Sequence, residues 1–197
     1  ENVILVAVSK TKPVTDLMVA FNAGQRVFGE NKIQEMTEKW EQMPKNIQWH
    51  MIGHIQTNKV RFMGPYVSLI HGVDSLKLLE EINKQALKYN RIIDCLLQIY
   101  IAEEETKFGL NESELNELLN SKSFKIFNNV RIVGLMGMAT FTDNQIQIRK
   151  EFEYLKKIFD KLKNLDTLSM GMSGDYKLAI ECGSTMVRIG SNIFGER

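Results

Sequence analysis

Eight short apolar runs alternate with longer polar or amphipathic stretches along this chain, and that alternation limits the fold more than any single residue does. VILVAV (Val3 to Val8) is apolar throughout, as a strand covered on both faces should be. RVFG, IQWHMIG, VSLIHGV, IIDCLLQIYI, VRIVGLMGM, TLSMGM and MVRIG follow it as seven further strand candidates. Helical patterns lie between them: Val14 to Ala23, Asn31 to Met43, a short one through Asn58 and Phe62, Ser75 to Tyr89, Asn111 to Ser121, and Gln145 to Lys163. Ser75 is placed to cap its helix, with Leu78, Leu79, Ile82 and Leu87 on one face. Pro13, Pro44 and Pro65 fall where periodic segments break. Strands alternating with helices predict a parallel sheet.

Such units can close as a barrel or lie open as a doubly wound sheet. The loops favour the barrel. Polar, glycine-bearing or small-residue sequence recurs just after strand ends: SK after the first, GEN after the second, GHIQ after the third, GMAT after the sixth, MSGD after the seventh, IGS after the eighth. In a barrel all of these converge on the C-terminal face, whereas in an open sheet only the switch-point loops meet. Neither GxGxxG after the first strand nor GxxxxGK[ST] anywhere is present, which argues against dinucleotide and nucleotide binding. The expectation is a single parallel (β/α)8 barrel domain over residues 1–197.

Composition removes other classes. Lys plus Arg is 25 and Asp plus Glu is 24, a net charge of +1, so nothing calls for nucleic acid or an anionic membrane. No apolar window has the length of a membrane span, and no signal peptide is visible. Cys95 and Cys182 each sit in an apolar stretch and read as buried free thiols of a cytoplasmic protein, too few and too far apart for a zinc site. With the apolar helix faces turned inward no unusual stripe is left over, so a monomer is expected.

Chemistry concentrates at three places. Lys10 ends the first apolar strand. Beside low-dielectric walls its ammonium is destabilised and its amine becomes available to an aldehyde; a lysine that merely reaches solvent from a strand end is the plainer reading of the position alone. MSGD (Met172 to Asp175) and RIGSN (Arg188 to Asn192) carry small residues that let backbone N–H groups approach an anion. Ser173 and Ser191 add hydroxyl donors, and helix starts are expected in both loops. The seventh and eighth loops are where barrels bind phosphate, although Gly174 and Gly190 could be turn glycines and the serines ordinary caps. Arg188 lies between Val187 and Ile189 in the last strand, either as an obligate donor in a site or as half of an interior ion pair.

VAVSKTKP, FGENKIQE, WHMIGHIQTNK, GLMGMAT, SMGMSGDYKLAIECGSTMVRIG and the closing FGER together resemble the pyridoxal phosphate homeostasis proteins, a family related to the N-terminal barrel of alanine racemase. The likeness runs in order over nearly the whole chain. It implies pyridoxal 5′-phosphate as cofactor, with Lys10 as the Schiff-base lysine. Ser173, Gly190 and Ser191 would hold the phosphate with the backbone around Met172 and Gly174. Arg188 would face the pyridine nitrogen and favour the unprotonated ring. Asn31 and His54 would line the rim, with Met136 packed nearby; a glycine-flanked histidine such as His54 is as often a turn residue. Family members usually carry a helix before the first strand, whereas this sequence begins almost on the strand. Ser191 stands where many relatives have threonine, which keeps the hydroxyl.

Three functions are compatible with a lysine so placed. The first is a non-enzymatic protein of vitamin B6 homeostasis that buffers the cofactor and passes it to apoenzymes that depend on it. The second is an amino-acid racemase. That chemistry needs a second acid/base group, a tyrosine from an additional domain in alanine racemase, and none of Tyr66, Tyr89, Tyr100, Tyr154 and Tyr176 lies in a motif suggesting it. The third is a cofactor-free Schiff-base aldolase or phosphosugar isomerase, which would be colourless. The resemblance favours the first.

Overall fold

The computed structural model describes residues 2–196. Eight strands pair in chain order, all parallel, and β8 closes on β1. They are β1 (Ile4–Val8), β2 (Val27–Glu30), β3 (Gln48–Met51), β4 (Leu69–Val73), β5 (Ile93–Gln98), β6 (Val130–Met136), β7 (Thr167–Met172) and β8 (Met186–Ile189). The expected (β/α)8 barrel is therefore present, and an open doubly wound sheet is excluded. The connecting helices are α1 (Val14–Asn22), α2 (Ile33–Gln42), α3 (Val60–Met63), α4 (Leu76–Lys88), α5 (Glu112–Asn120), α6 (Gln145–Lys161), α7 (Tyr176–Glu181) and α8 (Ser191–Phe194).

Local sequence sets the helix starts. Ser75 Oγ accepts from the Leu78 N–H at 3.1 Å. Asn111 and Glu114 form a reciprocal capping box at the start of α5. Asn144 accepts from two N–H groups of α6. Leu78, Leu79 and Ile82 are buried as their spacing predicts, but Leu87 is 63% exposed. It lies five residues beyond Ile82, about 140° further round the helix, and Ala86 fills the core position instead.

Most of the core lies between the strands and the helices, around Phe28, Trp49, Leu79 and Phe152. The barrel lumen holds a smaller apolar cluster of Val6, Leu69, Leu96, Met136 and Met186. Three expectations are corrected. Only Val6 and Ala7 of β1 are fully covered; Ile4 and Leu5, at the N-terminal end of the barrel, are 47% and 37% exposed. β5 stops at Gln98, because beyond it the backbone pairs with Leu110 instead: the Leu110 N–H donates to the Gln98 carbonyl (2.8 Å) and the Tyr100 N–H to the Leu110 carbonyl (3.0 Å). Cys95 is a buried free thiol, but Cys182 is only half-buried, at the end of α7 near Arg149. Among the described residues no helix is long and apolar enough to cross a membrane.

Candidate functional site

The C-terminal ends of the strands bring the loops singled out in the sequence to one mouth. Lys10 follows Val8 by two residues, so it stands in the turn after β1 rather than on the strand, and it is half-buried. Its neighbours are clamped. Ser9 Oγ donates to Glu30 Oε1 (2.6 Å) at the end of β2. From α2, Lys39 Nζ reaches the Ser9 carbonyl (2.7 Å), Glu30 Oε1 (2.6 Å) and Glu35 Oε1 (2.7 Å). The Thr11 N–H donates to the same Glu35 oxygen at 2.7 Å, and Thr11 adopts a left-handed φ of 64°. Both sides of Lys10 are thereby tied to α2. Burial raises the Glu30 carboxyl above its usual range, outweighing the hydrogen bonds from Lys39 and Ser9 that lower it. Its Oε2 is buried with no hydrogen-bond partner among the described residues. The sequence reading missed Glu30 and Lys39. The available signal was a carboxylate closing an apolar strand, nine residues before a helical lysine.

The seventh and eighth loops meet. Gly190 N–H donates to Ser173 Oγ (3.2 Å), and Asn192 Nδ2 donates to the Ser173 carbonyl (3.4 Å). The Met172 N–H donates to Asp175 Oδ1 at 2.7 Å, which folds the turn before α7. Helices start in both loops, as expected, at Tyr176 and Ser191. The backbone N–H groups of Ser173, Gly174, Ser191 and Asn192 have no acceptor among the described residues. A Cβ on Gly174 would meet nothing within 4 Å, whereas one on Gly190 would lie 3.2 Å from the Val8 carbonyl. Gly174 thus borders open space, and Gly190 lets the eighth loop close against the end of β1, beside the Lys10 turn.

Arg188 lies inside the lumen, 3% exposed, with Met172 and Val6 as its strand neighbours. Its guanidinium donates to Ser169 Oγ (2.5 Å) and to the Gly137 carbonyl (3.2 Å). No carboxylate pairs with it among the described residues, so the interior ion-pair reading is not what the structure holds. Burial lowers its pKa to about 10, opposed by the Asp175 charge. Met136 is fully buried beside Ser169 at the end of β6.

Asn31 and His54 occupy the second and third loops. A Cβ on Gly53 would fall 2.3 Å from the Asn31 carbonyl, so that glycine allows the two loops to touch. The His54 side chain is 59% exposed, 3.9 Å from Asp74 Oδ2 and edge-on to the Phe108 ring. No contact among the described residues joins His54 to Arg188 or to the seventh and eighth loops. A cavity of about 620 Å³ lies at the opposite end of the barrel, lined by Ile4, Val27, Gln48, Asp94, Arg131 and Thr167 among others. Those residues stand at or before the N-terminal ends of the strands, away from the groups just described.

A barrel mouth with a loop-held lysine, an unpaired buried guanidinium and two loops rich in free N–H groups defines a class that sequence comparison also finds. Residues 1–197 match the alanine racemase N-terminal domain family. A pyridoxal phosphate homeostasis protein of Aquifex aeolicus strain VF5 is 39% identical over 199 residues, covering 98% of this chain and 86% of its own length. One from Vibrio alginolyticus is 41% identical over 207 residues, covering 100% and 88%. PipY of Synechococcus elongatus PCC7942, solved with PLP bound, superposes with a TM-score of 0.89 at 32% identity over 98% of this chain and 92% of its own. Alanine racemase from Bartonella henselae shares the fold, with a TM-score of 0.77 at 18% identity over 98% of this chain and 54% of that one. The chain belongs to the alanine racemase N-terminal domain family, among its pyridoxal phosphate homeostasis proteins.

Proposed function

We propose that this protein binds pyridoxal 5′-phosphate at the C-terminal mouth as a Schiff base on Lys10, and that it stores and hands over the cofactor rather than turning over an amino acid. The observation that carries the reading is Arg188, a buried guanidinium with no carboxylate partner among the described residues, at the mouth shared by Lys10 and the two donor-rich loops. A group that can only donate suits an acceptor such as an unprotonated pyridine nitrogen. Ser173 Oγ, which accepts from Gly190, keeps its own proton for a phosphate oxygen. Ser191 and the N–H groups of Ser173 and Gly174, just after Met172, complete the anion cradle; the Met172 N–H itself is held by Asp175. Asn31 and His54 would line the rim, and Met136 would pack nearby. PLP bound to a relative 32% identical to this chain supports the choice of cofactor.

When bound, pyridoxal phosphate supplies an electrophilic carbon and a conjugated ring that withdraws electrons. Arg188 weakens that withdrawal by leaving the ring nitrogen without a proton. A racemase would also need a second positioned proton carrier. The hydroxyls of Tyr66, Tyr100 and Tyr154 are bonded to Thr37, the Glu104 carbonyl and Glu112. The names of the relatives point the same way: homeostasis rather than catalysis. The protein acts as a cytoplasmic monomer whose partners are the cofactor and apoenzymes that require it, with no nucleic acid or membrane involved.

The test is to incubate protein loaded with pyridoxal phosphate with L-alanine and follow D-alanine by chiral chromatography, and separately to mix it with a cofactor-free transaminase. The reading expects transaminase activity to appear and D-alanine to stay at the level of free cofactor. A turnover of about 1 s⁻¹ or more, the ordinary enzymatic range, abolished by Lys10→Ala, would overturn it.

A further inference from the structure

The barrel lumen holds a polar chain that the proposed site does not account for. It starts at Arg188 on β8. Arg188 Nη1 donates to Ser169 Oγ on β7 at 2.5 Å. Ser169 Oγ lies 3.0 Å from His71 Nδ1 on β4. His71 Nε2 lies 3.0 Å from His50 Nδ1 on β3. Ser169 and His71 are fully buried and His50 is 4% exposed. His50 also lines the cavity at the N-terminal end of the barrel, and its Nε2 has no protein partner among the described residues. The chain therefore crosses the lumen from the mouth that holds Arg188 to the opposite cavity.

Elementary donor and acceptor rules give it one direction. Arginine only donates, so Ser169 Oγ is the acceptor of that bond. The hydroxyl proton of Ser169 then needs an acceptor, and His71 Nδ1 is the group in reach. A lone pair on His71 Nδ1 places the ring proton on Nε2, which donates to His50 Nδ1. His50 in turn carries its proton on Nε2, facing the cavity. In the reverse polarity Ser169 would accept from both neighbours, and its own proton would be buried without a partner, which is costly. Burial holds both rings neutral: it pushes His50 down to about 3 and His71 well below its usual value, with His50 and Arg188 adding to the effect on His71.

We propose that Ser169, His71 and His50 are positioning residues that form a one-way hydrogen-bond chain through the barrel. The chain fixes Arg188 as a donor toward the mouth and ends in a His50 N–H at the N-terminal cavity. Its link to the cofactor rests on the reading of the mouth as a pyridoxal phosphate site. Ser169 accepts from one Nη at the edge of the guanidinium, so a change at Ser169 alters how Arg188 meets the ring without touching the cofactor itself. The exposed histidine at the mouth, His54, takes no part.

Long-range proton–nitrogen correlation NMR on the wild-type protein reads the tautomers directly, with and without pyridoxal phosphate. Both His50 and His71 are expected as neutral Nε2–H rings in each sample. An Nδ1–H ring or an imidazolium at either position would overturn the chain. In parallel, Ser169→Ala should shift the visible absorption of the bound cofactor and weaken its affinity roughly ten-fold, by loss of one hydrogen bond to a charged group; Ser169→Thr should restore both. An unchanged spectrum and affinity in a folded Ser169→Ala protein would contradict the positioning role even with the tautomers as drawn. If wild type takes up no pyridoxal phosphate, the reading of the mouth fails, while the tautomers in the cofactor-free sample still decide the chain.

Discussion

Ser173 spends its two hydrogen-bonding faces differently. Its oxygen lone pairs accept from the Gly190 N–H and so tie the eighth loop to the seventh, while its proton stays available. Removing the hydroxyl in Ser173→Ala takes away both functions. A hydrogen bond to a charged acceptor is worth about 1.5–3 kcal/mol, so isothermal titration should show pyridoxal phosphate affinity falling about ten-fold or more. Pyridoxal, which lacks the phosphate, should bind wild type and variant alike and weakly. Equal binding of the two forms to wild type would contradict an anion cradle in these loops. Single residues at this mouth were legible because each breaks a local pattern: a lysine one serine beyond a run of apolar residues, an arginine between valine and isoleucine, serines and glycines directly after strands. What those patterns could not show is what each side chain touches. Arg188 could as well have met a carboxylate; only the fold puts Ser169 and the Gly137 carbonyl against it.

The β1–α1–β2–α2 unit shows the limit at the level of elements. Lys39 lies on a helix whose sequence reads as amphipathic, yet it is 5% exposed and bonded to Glu30, Glu35 and the Ser9 carbonyl. Periodicity finds the helix but does not reveal a charge turned inward, because long aliphatic stems let such groups sit on either face. The structural consequence is measurable. Lys39→Met leaves Glu30 buried without its counter-charge, and removing one partner of a buried pair commonly costs about 3–5 kcal/mol. The denaturation midpoint in urea should fall accordingly, and occupancy of Lys10 by the cofactor should fall with it, since both neighbours of Lys10 hang on Lys39 and Glu35. Arg131→Ala, which breaks the exposed pair with Asp94, should cost under about 1 kcal/mol. Equal effects from the two changes would show that the buried cluster holds nothing in place.

For the whole molecule, the barrel was legible because eight apolar runs alternate with helices and six of the loops after them carry the polar or small residues suited to one shared mouth, whereas the contents of its lumen were not legible. Parallel strands buried on both faces do not show which residues point inward. The register also shifts within the β5–β6 pair between Cys95 and Leu96 and within the β7–β8 pair between Ser169 and Met172, which no alternation rule anticipates. The inward set includes His50 and His71, and it gives the fold a pH dependence. Both are neutral when buried and take up protons when unfolded, so stability is full above pH 6.5 and is lost as pH falls from there toward the depressed folded values, about 3 for His50. Between pH 6.5 and the carboxylate range the slope should approach about 1.4 kcal/mol per pH unit for each histidine, as read from urea unfolding at a series of pH values. His71→Gln should roughly halve it; an unchanged slope would mean that the buried rings do not differ between folded and unfolded states. The central claim, that the mouth of this barrel carries pyridoxal phosphate on Lys10, is tested most directly by borohydride reduction of the purified protein, with visible spectra before and after and mass spectrometry of its peptides. The account predicts a yellow protein whose colour bleaches on reduction and a pyridoxyl phosphate adduct on the peptide containing Lys10, absent from Lys10→Ala; a colourless protein after incubation with the cofactor, or an adduct confined to Lys59 or Lys177, would contradict it.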